Sequence, residues 1–205
     1  MRYTERYTNY KVEDAGSSLV EIYKEEYPQP KTEIIDTLIN KNTGEETVIY
    51  HGSNAIVRGF GVSVGLFLSS QFDSVGLESG IRYAAFGDGE GAVWDSLTTA
   101  QRQAKSIFTL TQLYHELFRV VPISIVFLDT SNNVTLAPTN KIEVRISLDD
   151  AHNGNLREFG LFLGNSATAT LNTGILIDHK AFPVISFNQD SSISMLLNRA
   201  VRITT

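Results

Sequence analysis

The sequence predicts a mainly β protein of the α+β kind, an antiparallel β-sandwich or barrel with one inserted helix and an N-terminal arm. Three observations carry this. From residue 123 onward the apolar residues recur at every second position. Short runs of this kind are separated by clusters of Asn, Gly, Asp and Ser, which punctuate all-β folds. One segment alone, opening at Thr98, keeps a sustained helical spacing behind a capping signal.

In chain order, residues 1–30 are rich in Tyr and charge and close on Tyr27-Pro28-Gln29-Pro30, where two prolines stop any helix. Leu19, Val20, Ile22, Tyr23 and Tyr27 would mark one side of a short helix. Two readings stand for these residues: an arm reaching over a neighbouring subunit, or a helix lying on its own domain. The β-rich domain is expected over 31–205. Thr32 to Tyr50 reads strand, turn, strand, with Asn40-Lys41-Asn42-Thr43-Gly44 supplying the left-handed backbone of a hairpin. Ala55 to Ser70 could be helical or extended. Ile81 to Phe86 reads as a strand entering the tight turn Gly87-Asp88-Gly89-Glu90-Gly91.

Thr98 has Gln101 three residues on, as in a capping box, and Ala100, Ala104, Ile107, Leu110, Tyr114 and Leu117 follow at helical spacing. The helical insert is therefore expected near 97–119, ending about Arg119. After Pro122, Ile123 to Leu128 reads as a strand buried on both faces. Ile142, Val144, Ile146 and Leu148 alternate with Glu143, Arg145 and Ser147, which predicts a half-buried strand exposing Glu143 and Arg145. Further strands are expected at Leu156 to Leu163, Gly174 to Asp178, Ala181 to Phe187 and Ile193 to Ile203.

Composition narrows the function. The 205 residues suit one large domain, or one domain plus an arm. With 42% hydrophobic and 20% charged residues the chain can fill a core and is too apolar to be a disordered acidic polymer. A formal charge of −6 supplies no positive field to gather phosphates, so no nucleic-acid partner is expected. No stretch nears the ~20 apolar residues that span a bilayer, and the polar start lacks a signal-peptide core, so no membrane association is expected and folding is placed in a cytoplasm. The absence of cysteine excludes disulfides, thiolate metal sites and cysteine nucleophiles together.

Motifs for chemistry fail on inspection. His115-Glu116 would need a second imidazole at 119 to make a helical zinc site, and that position is Arg119. His51, His115, His152 and His179 have no ligand spacing. The Gly87 to Gly91 run lacks the Lys-Ser/Thr of a phosphate loop and reads as a structural turn. Asp149-Asp150 with His152, Asn153 and Asn155 does not open an EF-hand frame. No nucleophile elbow is present. No catalytic, cofactor-binding or metal residue is assigned, no cofactor and no small-molecule ligand are expected, and the chain is read as a non-enzyme.

Several segments between 81 and 204 nonetheless fall in a familiar order: Tyr83-Ala84-Ala85-Phe86-Gly87-Asp88-Gly89, then Leu113-Tyr114-His115-Glu116-Leu117-Phe118-Arg119, then Arg157-Glu158-Phe159-Gly160-Leu161-Phe162. Leu171-Asn172-Thr173-Gly174-Ile175-Leu176, Phe182-Pro183 and Leu197 to Thr204 close the series. This order of a Gly-x-Gly turn, a Leu-x-x-Glu-x-x-Arg segment and a Glu-x-Gly-Leu-Phe strand resembles virion structural proteins of the bacteriophage tail and fibre region. The resemblance covers about the last 60% of the chain; the insert from Trp94 to Gln112 and the first eighty residues depart from it. It implies a tail, baseplate or fibre-attachment protein that acts by subunit packing, in the virion, after assembly in the host cytoplasm. Its implied partners are copies of itself and other virion proteins. A capsid decoration or neck protein and a carbohydrate-binding receptor module are the alternatives. The motifs also have a purely architectural reading, in which Glu116 and Arg119 pair across a helical turn and Phe159, Leu161 and Leu163 share a strand face.

Overall fold

The computed structural model describes residues 12–13, 19–20, 31–53, 55–68, 79–149, 152, 154–187 and 195–204. Near the start, β1 (Val12–Glu13) and β2 (Leu19–Val20) pair antiparallel, so Leu19 and Val20 are extended where a helix was one expectation. The rest of the arm expectation for residues 1–30 lies outside the described residues, as do Asp150 and Asn153.

β3 (Lys31–Asn40) and β4 (Glu46–Ser53) form the expected hairpin. Its turn is held by Gly44 N–H on the Asn40 carbonyl at 2.7 Å and by Asn42 N–H on the Asn40 side chain, with Gly44 at φ 72°. β5 (Ala55–Ile56) leads into α1 (Arg58–Leu68), which settles the open segment as a helix. A Cβ on Gly59 would stand 2.0 Å from the Leu176 carbonyl, so glycine there lets α1 lie directly on its strand. β6 (Ile81–Gly87) follows, then a 3₁₀ turn over Gly91–Ser96 and α2 (Thr99–Lys105), opened by the Thr98–Gln101 capping box.

The helix expected to reach Arg119 stops fourteen residues short, at Lys105. Beyond it the sheet outcompetes helical spacing: β7 (Glu116–Val120) pairs with β6, and the Tyr114 and His115 amides donate to Glu158 instead of to carbonyls four residues back. Glu116 and Arg119 do pair, but on a strand. A register shift opposite Phe86 and Gly87 turns both side chains to one side, where they bond at 2.5 and 2.7 Å.

β8 (Ser124–Leu128), β9 (Val134–Thr135), β10 (Lys141–Leu148), β11 (Gly154–Leu163), β12 (Ile175–Phe187) and β13 (Met195–Thr204) complete the chain. The two strands expected over 174–187 are one. Pro183 is tolerated within it because it falls where the pairing with β11 slips, between the Ala181 and Ile185 partners. Six strands form sheet I in the order β4-β3-β13-β10-β8-β9, and five form sheet II in the order β5-β12-β11-β6-β7. Every pairing is antiparallel.

The sheets face one another over a common core. Ile34, Val144, Ile146, Leu148, Val201 and Ile203 of sheet I meet Phe86, Phe159, Leu161, Ile177 and Phe182 of sheet II. A smaller cluster of Val57, Ala85, Leu113, Phe162, Ala167 and Leu176 covers the far face of sheet II. β11 is thus buried on both sides. The architecture is a β-sandwich with few helices, as the alternation of the second half requires.

Two expectations about exposure are corrected. Glu143 is 4% exposed, because Arg145 Nε and Arg202 Nε each bond its carboxylate at 2.7 Å and cover it. β8 is not buried on both faces: Ile125 and Phe127 are 44 and 36% exposed, and Ile123 just ahead of the strand is 67% exposed. Ile125 and Phe127 continue the core-facing row opposite Val144 and Ile142, but sheet II ends before it covers them.

Val144 is fully buried in the common core. A Val144→Asp change places a carboxyl there with no partner, and we expect a loss of several kcal/mol, above about 3, in urea unfolding. Wild-type stability would show that the alternation does not govern burial.

Candidate functional site

Two places in the fold concentrate unusual chemistry. The first is a polar cluster on the covered face of sheet II, where β11 presents Glu158. This carboxylate is fully buried and accepts four hydrogen bonds. They come from the amides of Gly89 at 3.2 Å, Tyr114 at 3.0 Å and His115 at 2.7 Å, and from His179 Nε2 at 3.1 Å. On its other ring nitrogen, His179 Nδ1 stands 2.9 Å from Ser106 Oγ, which also accepts the Ala181 amide.

Three amides donate to Glu158, so the ring nitrogen facing it, Nε2, is placed as a fourth donor, while the Ser106 hydroxyl, able to donate or accept, satisfies Nδ1. Serine, histidine and acid in line invite comparison with a hydrolase relay. There, however, the acid holds Nδ1 and serine faces Nε2; here the order is inverted. The His179 ring is also wholly buried. The arrangement does structural work: one carboxylate ties the Gly87–Gly91 turn, the 113–116 segment and β12 to β11.

The segments singled out in the sequence converge on this cluster. A Cβ on Gly87 would lie 2.3 Å from the His115 carbonyl and 2.5 Å from Glu158, and one on Gly89, at φ 62°, would strike the Trp94 ring at 2.7 Å. Gly160 leaves room for Leu113 and Leu176. Beside them the Glu116–Arg119 pair is dry, with Arg119 Nη1 bonding the Thr168 and Thr173 carbonyls and Glu116 accepting the Asn172 amide at 2.7 Å. The Arg119 guanidinium stacks 4.7 Å from the Phe162 ring centre. The Gly-x-Gly, Leu-x-x-Glu-x-x-Arg, Glu-x-Gly-Leu-Phe and Leu-Asn-Thr-Gly segments therefore interlock as one support for the loop over 164–174.

The other discounted residues are placed apart. The His115 side chain is exposed and contacts Asp88 at 2.5 Å, which pins the turn. His152 bonds Asp149 at 2.8 Å and lies against the Phe118 ring. His51 bonds Glu33 at 2.7 Å. Among the described residues no three His, Asp or Glu side chains gather to hold a metal ion.

His51 ends a ladder of charges crossing sheet I. Arg145, Glu143, Arg202, Glu33 and His51 bond in sequence over β10, β13, β3 and β4. The hydrogen bond from His51 holds the Glu33 carboxyl below its usual range. Burial would raise Glu143, but Arg202 and Arg145 more than offset it and its net direction is also downward. Carboxyls depressed in the folded state contribute stability that is complete above the unfolded value, ~4.3 for Glu, and is lost as pH falls through the folded values. The melting temperature should therefore drop on acidification below about pH 4. Glu143→Gln should make that drop shallower, and an unchanged acid profile would remove the ladder from the account.

The second place is the uncovered margin of the sandwich. Val121, Ile123, Ile125 and Phe127 alternate along one side of the chain, all at least 36% exposed. With Ile81, Arg82 and Tyr83 of β6 on the opposite wall, Val121, Pro122 and Ile125 line a groove of about 240 Å³. β7 ends at Val120, so Ile81 to Tyr83 have no strand beside them on that side. Sequence reasoning missed this surface because an apolar run looks the same whether a second sheet covers it or stops short.

Comparison of the chain with family models, with curated proteins and with solved structures finds no match to any of them.

Proposed function

We propose that this chain is a structural protein that acts by packing against other chains, in the tail, baseplate or fibre-attachment region of a bacteriophage particle. The observation that carries the packing role is the stripe Val121, Ile123, Ile125 and Phe127. Four large apolar side chains in alternation, beside an unpaired strand margin, form a surface that water disfavours and a protein partner would cover. The buried polar cluster supports the same reading, since each of its groups is engaged in holding loops and none is presented to a substrate. Assignment to a phage particle rests on the sequence resemblance alone.

The test is to purify particles from the source of the sequence and search them for the chain by mass spectrometry and immunogold labelling. A fixed copy number at one place in the particle is expected. Absence from intact particles overturns the reading.

A further inference from the structure

Sheet I ends in two margins of complementary chemistry. At one end β4 bonds only to β3, so its outer side has no strand partner among the described residues. Edge strands are commonly guarded by lysine or proline; the sequence of β4, Glu-Thr-Val-Ile-Tyr-His-Gly-Ser, contains neither. Val48 and Ile49 stand 62 and 40% exposed on it. Glu45 and Glu46 at its start are exposed and form no ion pair among the described residues. At the other end, β9 covers β8 only at Phe127 and Leu128, leaving Ser124 to Val126 open beside the apolar groove. The groove carries Arg82, which likewise has no acidic partner among the described residues.

We propose that β4 of a second copy of this chain seats at the β8 margin and groove, extending sheet I from one molecule into the next. This names the partner for the packing function above and rests on that reading. An unpaired backbone, exposed aliphatic side chains and carboxylates without a cation on one margin meet an unpaired backbone, an aliphatic groove and, on the other, the Arg82 guanidinium, which bonds the Asn165 carbonyl but no carboxylate among the described residues. The two surfaces differ, so the contact is head to tail. Each pair keeps one free margin of each kind, and repetition gives a ring if the rotation closes and a filament if it does not.

Sedimentation velocity with light scattering on the full chain tests this. The unmodified chain should form a concentration-dependent series above monomer. Val48→Lys and Ile123→Lys alter exposed positions, so both should melt like the unmodified chain, and each alone should remain monomeric. Mixed one to one, they should stop at a dimer, because each retains the margin the other has lost. Arg82→Glu should weaken association, and combining it with Glu46→Lys should restore it. Association that ignores all four positions overturns this contact while leaving the packing function standing. Loss with Ile123→Lys but not with Val48→Lys overturns it in favour of another occupant of the groove. A chain found in particles yet monomeric at every concentration overturns self-assembly and leaves the packing function to other proteins.

Discussion

Replacing Arg199 by Met is expected to destabilise the protein by about 3–5 kcal/mol, the usual cost of leaving one member of a buried ion pair alone. Arg199 of β13 and Asp36 of β3 face one another between the two sheets and are both almost wholly buried. Nε and Nη2 grip the two carboxylate oxygens at 2.6 Å each. The guanidinium lies 5.1, 4.6 and 4.6 Å from the ring centres of Phe86, Phe159 and Phe182, so sheet II supplies the walls of the cage. Removing the cation leaves Asp36 either ionised in an apolar layer or forced to take up a proton. The double change Asp36→Leu with Arg199→Met should recover most of the loss, because an apolar pair of similar size avoids both desolvation penalties. Urea unfolding of the two single variants and the double variant measures the coupling. Additive losses would mean that the pair is not the unit the geometry describes.

A comparable loss is expected at Glu158. Glu158→Ala strands three backbone amides and the His179 ring proton in a site without water access, at about 1–3 kcal/mol for each unmade bond. The total should exceed about 4 kcal/mol and be felt first in the Gly87–Gly91 turn and the 113–116 segment. Glu158→Gln keeps one acceptor oxygen and should cost less than Ala. Amide exchange at Gly89, Tyr114 and His115 reads the effect directly, since these protons should become fast in Glu158→Ala before global unfolding. Slow exchange at all three positions in that variant would deny Glu158 its role as anchor.

The legibility of the fold followed its periodicities. The β3–β4 hairpin, β6 with its glycine turn, and β10 were readable because alternation and turn chemistry agree locally. The segment from Ile107 to Arg119 misled because its apolar spacing suits a helix, while its amides are claimed by Glu158, 43 residues away from His115 in sequence. Nothing local announces such a bond. Glu143 misled for a related reason: a charged residue alternating with valine normally points to water, yet Arg145 of its own strand and Arg202 of the neighbouring β13 cover it. Glu158 and His179 were passed over as cluster members because Glu158 stands next to arginine in an apolar strand and His179 follows aspartate. Their meeting depends on the register of β11 and β12, which the sequence does not state.

The place of β13 bears on how the chain acquires its structure during synthesis. β13 holds the last described residues, yet it lies in the middle of sheet I, between β3 and β10. Arg199 and Asp36, which its arrival brings together, are 163 positions apart. Sheet II and its covering loops are complete once Phe187 has emerged from the ribosome, whereas sheet I remains two unconnected halves until the final strand slides between them. At ~5–20 residues per second the nascent chain spends several seconds with β3 and β10 displaying open inner margins. Folding governed by so distant a pairing is slow, and the waiting halves are where a chaperone, or another nascent copy, would first find the protein.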